Sequence, residues 1–223
     1  MAEVYGKGIC KKSFEEMRVF VRHANAIGES PMLFGGWAVY HYNPYAGSRD
    51  VDFAVSDENF DRLVDFLVAR GYGQRQARLF KEDVFFDLYK KSEEIGGEKN
   101  RISFSLLYEG CERIYLRGYD SPPGREEVLL PSLGVLAYFK LVALEERSVP
   151  KDRSDAIALL LKSSEEDLHG TAGLMGERPK LRERLLTLRN DAQSLSFVTA
   201  PTKKELNRLN QKVKTLMQSL PRL

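Results

Sequence analysis

The stretch Leu33–Val55 constrains the fold more than any other, since it joins a glycine pair to a carboxylate pair. An apolar run leads into Gly35 and Gly36, and the alternating run DVDFAV, which begins with Asp50 and Asp52, follows after 13 intervening residues. The apolar run and the alternation each predict a strand. WAVYHY predicts the first turns of a helix and NPYAGS a loop. The stretch therefore predicts a strand, a helix start, a loop and a second strand.

The two ends of this stretch carry complementary chemistry. Residues i and i+2 of a strand project from one face, so Asp50 and Asp52 should lie close together, where like charges repel. Mg²⁺ relieves that repulsion, since it prefers oxygen ligands and commonly takes one or two carboxylates with substrate phosphates. Gly35 and Gly36 at a helix N-terminus would expose N–H groups to a phosphate. The alternative is that the two aspartates only cap the next turn at a strand edge.

A third acid lies further along the chain, inside the apolar run VFFDLYK. Asp87 is flanked there by Phe86 and Leu88. A charge among apolar neighbours needs a partner or a metal, so Asp87 is the candidate third carboxylate of a metal cluster. The alternative is that Asp87 points to solvent from the outer face of a half-buried strand.

The rest of the chain divides into a mixed part and a helical part. Ser13 and Glu16 predict a capping box for a helix that ends at Gly28. Ser56 predicts the start of a helix to about Arg70. Four strand-like runs follow: QARLFK, DVFFDLYK, RISFSLLY and RIYLRGY.

A polar, Pro/Gly-rich segment, SPPGREE, predicts a boundary. After it we expect helices alone, over PSLGVLAYFKLVALEER, KDRSDAIALLLKSS, Glu177–Ala192 and Thr202–Leu220. The predicted fold is α+β, with a mixed sheet and flanking helices in residues 1–125 and a C-terminal helical bundle in residues 126–223.

Charge and composition bound the partners. Residues 171–223 carry 11 basic and 4 acidic side chains, a net charge of +7, and the preceding residues carry −5. Such a basic segment fits an anionic partner such as RNA, or simply solvated helix faces. No apolar run approaches the ~20 residues of a membrane span, and the N-terminus has no apolar signal core, so we expect a cytoplasmic protein with no membrane partner. Cys10 and Cys111 lack CxxC spacing, which argues against a disulfide framework or zinc site.

The motifs FGGWAV and SRDVDFAV resemble the signature of the DNA polymerase β-type nucleotidyltransferase superfamily. That signature is an apolar residue, Gly, Gly or Ser and, after an interval, Asp-apolar-Asp/Glu-apolar. Gly35, Gly36, Asp50 and Asp52 match it position by position, and FDL around Asp87 is similar to the third-carboxylate motif. The resemblance extends over about the first 120 residues.

This resemblance implies a reaction and a set of roles. A nucleoside monophosphate would pass from a nucleoside triphosphate to an acceptor hydroxyl. Asp50 and Asp52 would bind Mg²⁺ or Mn²⁺, and Asp87 would ligate a second ion or act as base toward the acceptor. Ser48, with the two glycines, would hold the triphosphate.

Two branches of the superfamily are similar to this sequence. GGWAV resembles the aminoglycoside and lincosamide adenylyltransferases. SRDVDF and the later helices resemble the abortive-infection type, which is associated with toxin–antitoxin and phage-defence systems. The charged pattern of that type falls here on Lys140, Arg147, Lys151, Asp152 and Asp155.

The abortive-infection resemblance implies that Lys140 contacts a nucleotide phosphate and that one of the two later acids helps to activate the acceptor. Spacing alone equally allows a surface salt-bridge set between two helices. The implied partners are an RNA, tRNA or protein acceptor and a cognate antitoxin protein. The alternatives are transfer to a small antibiotic-like molecule, or a module of this fold that binds nucleotide without chemistry.

Overall fold

The computed structural model of the chain divides into two compact units. It describes residues 5–44, 47–75, 78–95, 102–108, 110–147, 149–175, 179–191 and 202–220. One unit comprises the described residues of 5–41 and 47–131 and contains the main sheet; the other comprises those of 42–44 and 132–220 and is helical. Within the described residues, no helix combines the length and apolarity that crossing a bilayer requires.

The main sheet has seven strands in the order β3-β4-β5-β2-β1-β9-β8. Strands β2 and β5 pair in parallel, as do β1 and β9, and the other neighbours are antiparallel. A separate two-stranded sheet joins β6 to β7. Up to Pro131 the elements are α1 (Lys7–Ala26), β1 (Met32–Phe34), α2 (Gly35–Tyr42), β2 (Asp50–Val55), α3 (Asp57–Ala69), β3 (Gly73–Arg75), β4 (Arg78–Lys81), β5 (Val84–Lys90), β6 (Glu94–Ile95), β7 (Ile102–Ser103), α4 (Phe104–Tyr108), β8 (Cys111–Tyr115) and β9 (Glu127–Pro131).

The central strands have one buried face and one partly open face. Residues alternate between buried and half-buried over the first four positions of β2 and the first six of β5, as expected of strands with one face against a core. Phe20 of α1 is fully buried, and its ring centroid lies 5.1 Å from that of Phe53 and 5.4 Å from that of Phe86. The alternation therefore sends β2 and β5 side chains such as Asp52 and Asp87 to the other, half-buried face.

The helical unit packs its helices closely around buried leucines and alanines. A Cβ at Gly134 would lie 2.7 Å from the carbonyl oxygen of Asp167, and the Thr171 hydroxyl donates to the Gly134 carbonyl at 2.9 Å. Two of its helices thus touch through backbone. The elements are α5 (Leu133–Arg147), α6 (Pro150–Lys162), α7 (Glu165–Met175), α8 (Pro179–Asp191) and α9 (Lys203–Ser219).

The predicted fold class, an α+β fold with a mixed sheet and a C-terminal helical bundle, is confirmed. Several element predictions are wrong in detail. Helix α1 begins at Lys7, so Ser13 lies inside it and accepts a hydrogen bond from the Trp37 indole at 3.1 Å instead of capping. RISFSLLY is not one strand, because the short β7 gives way to α4.

Besides the short strands β3 and β6, strand β9 and helix α7 were not predicted from the sequence. Strand β9 begins at Glu127, the last residue of SPPGREE, and pairs with β1 and β8, so the expectation of helices alone after this segment is wrong. Helix α7 lies between the second and third predicted C-terminal helices. The sheet unit ends at Pro131, and the assignment of a catalytic domain to residues 1–125 stays a prediction.

Candidate active site

The glycine pair lies where the sequence placed it, at the junction of β1 and α2. Gly35 has φ +68°, a conformation that glycine adopts without strain. A Cβ at Gly35 would overlap the Asp52 carboxylate, lying 2.5 Å from its Cγ and 2.9 Å from its Cβ. The start of α2 therefore lies directly against Asp52, at a distance that only glycine allows.

Asp50 and Asp52 begin strand β2 and share its partly open face, since Val51 between them is fully buried. The Arg49 Nε lies 3.6 Å from Asp50 Oδ1, and the Asp50 side chain is 24% exposed. The register of β1 and β2 places Asp52 opposite Phe34, the residue before the glycine pair. The predicted carboxylate pair is thus adjacent in the fold to the predicted phosphate loop.

Asp87 lies in the same cross-strand row as Asp52, because the two residues are partners in the parallel register of β2 and β5. Its neighbours Phe86 and Leu88 are buried on the opposite face. The three predicted acids therefore lie on one face of two adjacent strands. Their catalytic and metal-binding roles stay predictions.

Arg78 on β4 completes this row and was not singled out from the sequence. It is the antiparallel partner of Asp87 and forms a two-pronged ion pair with it, with Nε 2.7 Å from Oδ1 and Nη2 2.5 Å from Oδ2. The hydrogen bond to Asp87 raises the pKa of Arg78, and the charges of Asp50 and Asp52 add to that effect. All three acids therefore act on this one guanidinium.

Tyr89 borders the acids from the next position on the same face of β5. Burial raises its pKa to about 12, and the negative charges of Asp87 and Asp52 contribute further. Its ring centroid lies 5.7 Å from that of Phe34. A neutral phenol thus lies beside the carboxylates at physiological pH.

The donor chemistry of this face suits a hard divalent cation, since carboxylate oxygens are the ligands that Mg²⁺ and Mn²⁺ prefer. In the described part of the chain, no group of three or more His, Cys, Asp or Glu side chains is arranged to hold a metal ion. Both oxygens of Asp87 bind Arg78 instead. Asp50 and Asp52 fit such a cation chemically, and Asp87 would fit it only after a change of partner.

Ser48 is buried, and its hydroxyl accepts a hydrogen bond from the Asp50 backbone N–H at 3.3 Å. It therefore fixes the backbone where the carboxylate strand begins. The preceding Gly47 packs against Cys10 and Trp37, where a Cβ would lie 2.8 Å from the Cys10 Cβ. Contact between Ser48 and a triphosphate stays a prediction.

Comparison with known proteins bears on the fold of this site. No family model and no curated protein sequence matches the chain. The solution structure of the antibiotic-resistance factor ANT(2″)-Ia superposes with a TM-score of 0.50 at 12% identity, over 80% of this chain and 95% of that one. The fold is that of a nucleotidyltransferase.

Two further solved structures agree. An antigenic nucleotidyltransferase-like protein from Paracoccidioides brasiliensis gives a TM-score of 0.52 at 15% identity, over 86% of this chain and 90% of that one. The crystal structure of ANT(2″)-Ia in complex with adenylyl-2″-tobramycin gives 0.54 at 12% identity, over 72% and 95%. At these identities the likeness establishes a nucleotidyltransferase fold alone.

The second predicted cluster lies in the helical unit of this nucleotidyltransferase fold and is mostly buried. Asp155 is 1% exposed; Lys140 Nζ lies 2.7 Å from its Oδ2, and Lys151 Nζ lies 3.1 Å from both of its oxygens. Asp152 is also buried, and the Arg147 side chain lies outside the described residues. The set is a buried ionic cluster joining α5 to α6, not a surface one. The predicted roles of Lys140 and the acids toward substrate stay predictions.

Of the two residues that sequence reasoning missed, Tyr89 had a recognisable signal and Arg78 did not. Tyr89 follows Asp87 by two positions, so alternation alone places it on the same face. Predicting the position of Arg78 requires the register of the β4–β5 hairpin. The two-residue turn Glu82-Asp83 sets that register by pairing Lys81 with Val84. That turn lacks the usual Asn-Gly or Asp-Gly signature, so it is not recognisable in advance.

Proposed function

We propose that this protein is a metal-dependent nucleotidyltransferase that transfers a nucleoside monophosphate from a nucleoside triphosphate to an acceptor hydroxyl. The contact between Gly35 and the Asp52 carboxylate carries the proposal. It sets the start of a helix, which favours phosphate, against an acid pair, which favours a divalent cation. A nucleoside triphosphate bound with its cation needs both in one place.

Different residues of the site would have different roles in such a reaction. Backbone N–H groups at Gly35 and Gly36 would hold the triphosphate, with Ser48 keeping the loop before β2 in place. Asp50 and Asp52 would hold Mg²⁺ or Mn²⁺. When bound, the cation stabilises the leaving pyrophosphate and lowers the pKa of the attacking hydroxyl.

Asp87 would ligate a second ion, or would act as base and accept the proton of the acceptor hydroxyl. The acceptor oxygen forms a bond to the α-phosphorus, the bond from that phosphorus to the bridging oxygen breaks, and pyrophosphate leaves. Lys140 and Asp152 are further candidates from the family resemblance, for the nucleotide phosphate and the acceptor respectively.

The nature of the acceptor has two candidate answers. The basic helix α9, with exposed Lys203, Lys204 and Arg208, favours RNA or tRNA, in line with the resemblance to toxin-type enzymes that act beside an antitoxin. The likeness to ANT(2″)-Ia, whose crystal structure holds adenylyl-2″-tobramycin, favours a small hydroxylated molecule. A non-catalytic nucleotide-binding module is the remaining alternative, and the presence of all three acids argues against it.

Transfer of label tests the proposal directly. The protein is incubated with each α-³²P-labelled nucleoside triphosphate, Mg²⁺ or Mn²⁺, and either total cellular RNA or tobramycin. Label in RNA, in tobramycin or in the protein itself would identify the acceptor class. Asp52→Asn should lose all transfer and keep its fold, whereas Asp61→Asn, an exposed acid on α3, should behave as wild type. Equal transfer by Asp52→Asn would overturn the assignment.

A further inference from the structure

The ion pair between Arg78 and Asp87 lies within the row of acids, not at its margin. The turn Glu82-Asp83 pairs Arg78 with Asp87, and the parallel register pairs Asp87 with Asp52. One guanidinium and two carboxylates therefore follow one another across three neighbouring strands. Arg78 lies at the β4 end of that row, directly beside Asp87.

The pair leaves Asp87 poorly placed to accept a divalent cation. Each of its oxygens already receives a short hydrogen bond from the guanidinium, and the Asp87 side chain is only 13% exposed. A cation bound at Asp87 would also be repelled by the positive charge of Arg78. Asp87 can thus serve as a third carboxylate ligand only if Arg78 moves.

The surroundings of Arg78 allow that movement. The Arg78 side chain is 46% exposed. Its guanidinium lies 5.2 Å from the centroid of the Phe85 ring, and the Arg49 guanidinium lies 5.0 Å from the same centroid. Guanidinium groups bind phosphate with the same two-pronged geometry that they use for carboxylate. A triphosphate arriving at this face would therefore offer Arg78 an equivalent partner.

We propose that Arg78 is a displaceable counter-cation, which neutralises Asp87 in the nucleotide-free protein and transfers to a phosphate of the triphosphate when the cation and nucleotide bind together. This inference rests on the proposed function. It makes the third carboxylate available only when nucleotide is present, so that a divalent cation alone binds weakly.

Two binding measurements on one variant test the proposal, and neither depends on turnover. Mn²⁺ affinity is measured without nucleotide from the electron paramagnetic resonance signal of free Mn²⁺. Affinity for the α,β-methylene analogues of the four nucleoside triphosphates with Mg²⁺ is measured by calorimetry. Arg78→Ala should bind Mn²⁺ alone about tenfold tighter, because Asp87 loses the guanidinium that occupies its oxygens. It should bind the best analogue about tenfold more weakly, because a charge-assisted contact to phosphate is lost, and each tenfold change corresponds to about 1.4 kcal/mol.

Arg113→Ala is the matched control, because Arg113 of β8 also forms a cross-strand ion pair, with Glu127 of β9, at the other end of the sheet. It should leave both affinities unchanged. Arg78→Gln, which retains hydrogen bonding without charge, should follow Arg78→Ala and replaces it if that variant does not fold. Changes of the same sign in both affinities, or no change, would overturn the role of Arg78. A wild-type protein that binds none of the analogues would overturn the proposed function as well.

Discussion

At the residue scale, Gly35 is the position at which backbone conformation and candidate chemistry depend on each other. Its positive φ and its contact with Asp52 both exclude a side chain. Gly28 also has a positive φ, +81°, but a Cβ there would meet nothing within 4 Å. Substitutions at the two glycines therefore distinguish two effects. Both lose the residue that tolerates a positive φ, but only Gly35 also lies against Asp52.

We expect Gly28→Ala to lower the free energy of unfolding by about 1–2 kcal/mol, the cost of a left-handed conformation with a Cβ. Gly35→Ala should lower it by about 1–3 kcal/mol more, because the new methyl group overlaps the Asp52 carboxylate. Urea unfolding of both variants measures the difference. Equal losses would mean that Gly35 is needed for its backbone alone.

At the same scale, some features of the candidate site could be predicted from the sequence and others could not. The proximity of Asp50 and Asp52 follows from the two-residue period of a strand, so it was predictable. The alignment of Asp87 with Asp52 was not, because it depends on the parallel register of two strands separated in the chain by α3, β3 and β4. The burial of Asp155 was hidden for a similar reason, since it depends on how α5 packs against α6.

At the scale of single elements, α9 has an N-terminus that can be tested by itself. The Thr202 hydroxyl accepts from the Glu205 N–H at 3.2 Å, and the Glu205 carboxylate accepts from the Thr202 N–H at 2.8 Å. Thr202→Ala should lower the free energy of unfolding by about 1 kcal/mol, as loss of an N-cap does. Chemical denaturation at neutral pH measures it.

The same capping box predicts a pH dependence. Hydrogen bonds from Thr202 lower the pKa of Glu205 below its usual 4.5. A group with a lowered folded-state pKa stabilises the fold above its unfolded pKa and loses that contribution as the pH falls. The difference between wild type and Thr202→Ala should therefore shrink as the pH falls below about 4.5. A difference that stays constant down to the acid transition would contradict this account of the cap.

The pair α5 and α6 is joined by a buried carboxylate that two lysines share. Asp155→Ala should lower the free energy of unfolding by about 3–5 kcal/mol, because it leaves two partly buried ammonium groups without this partner. Lys151→Met should cost less, because Lys140 still neutralises Asp155. Thermal or chemical unfolding gives the order, and a Lys151→Met variant as unstable as Asp155→Ala would contradict it.

Helix and strand propensities, together with the positions of Gly and Pro, explain why α7 and β9 were not predicted from the sequence. Helix α7 contains Gly170 and Gly173, which weaken any helical pattern, yet a Cβ at either would meet nothing within 4 Å. Helix α7 is therefore stabilised by burial of Leu168, Ala172 and Met175 and not by intrinsic helix propensity. Strand β9 follows a Pro/Gly-rich segment that is typical of a linker, and its place between β1 and β8 depends on pairing with distant strands.

At the scale of the whole molecule, a mixed sheet carries the candidate chemistry on one open face, and a helical unit carries a second charged cluster in its interior. The fold class was predictable, because helix-like and strand-like periods separate along the chain. Three acids and a glycine that the sheet brings together support the proposed reaction. A metal-dependent transferase with this site must bind nucleotide and cation as one ligand at that face.

The most direct test of this central claim is the melting temperature of wild type, Asp52→Asn and Asp61→Asn with a nucleoside triphosphate and Mg²⁺, each alone and together. At one hundred times the dissociation constant, the wild-type melting temperature should rise by about 5–10 °C, and only when both are present. Asp61→Asn should match wild type, and Asp52→Asn should not respond. An equal rise without Mg²⁺, or in Asp52→Asn, would contradict a metal-dependent nucleotide site at Gly35 and Asp52.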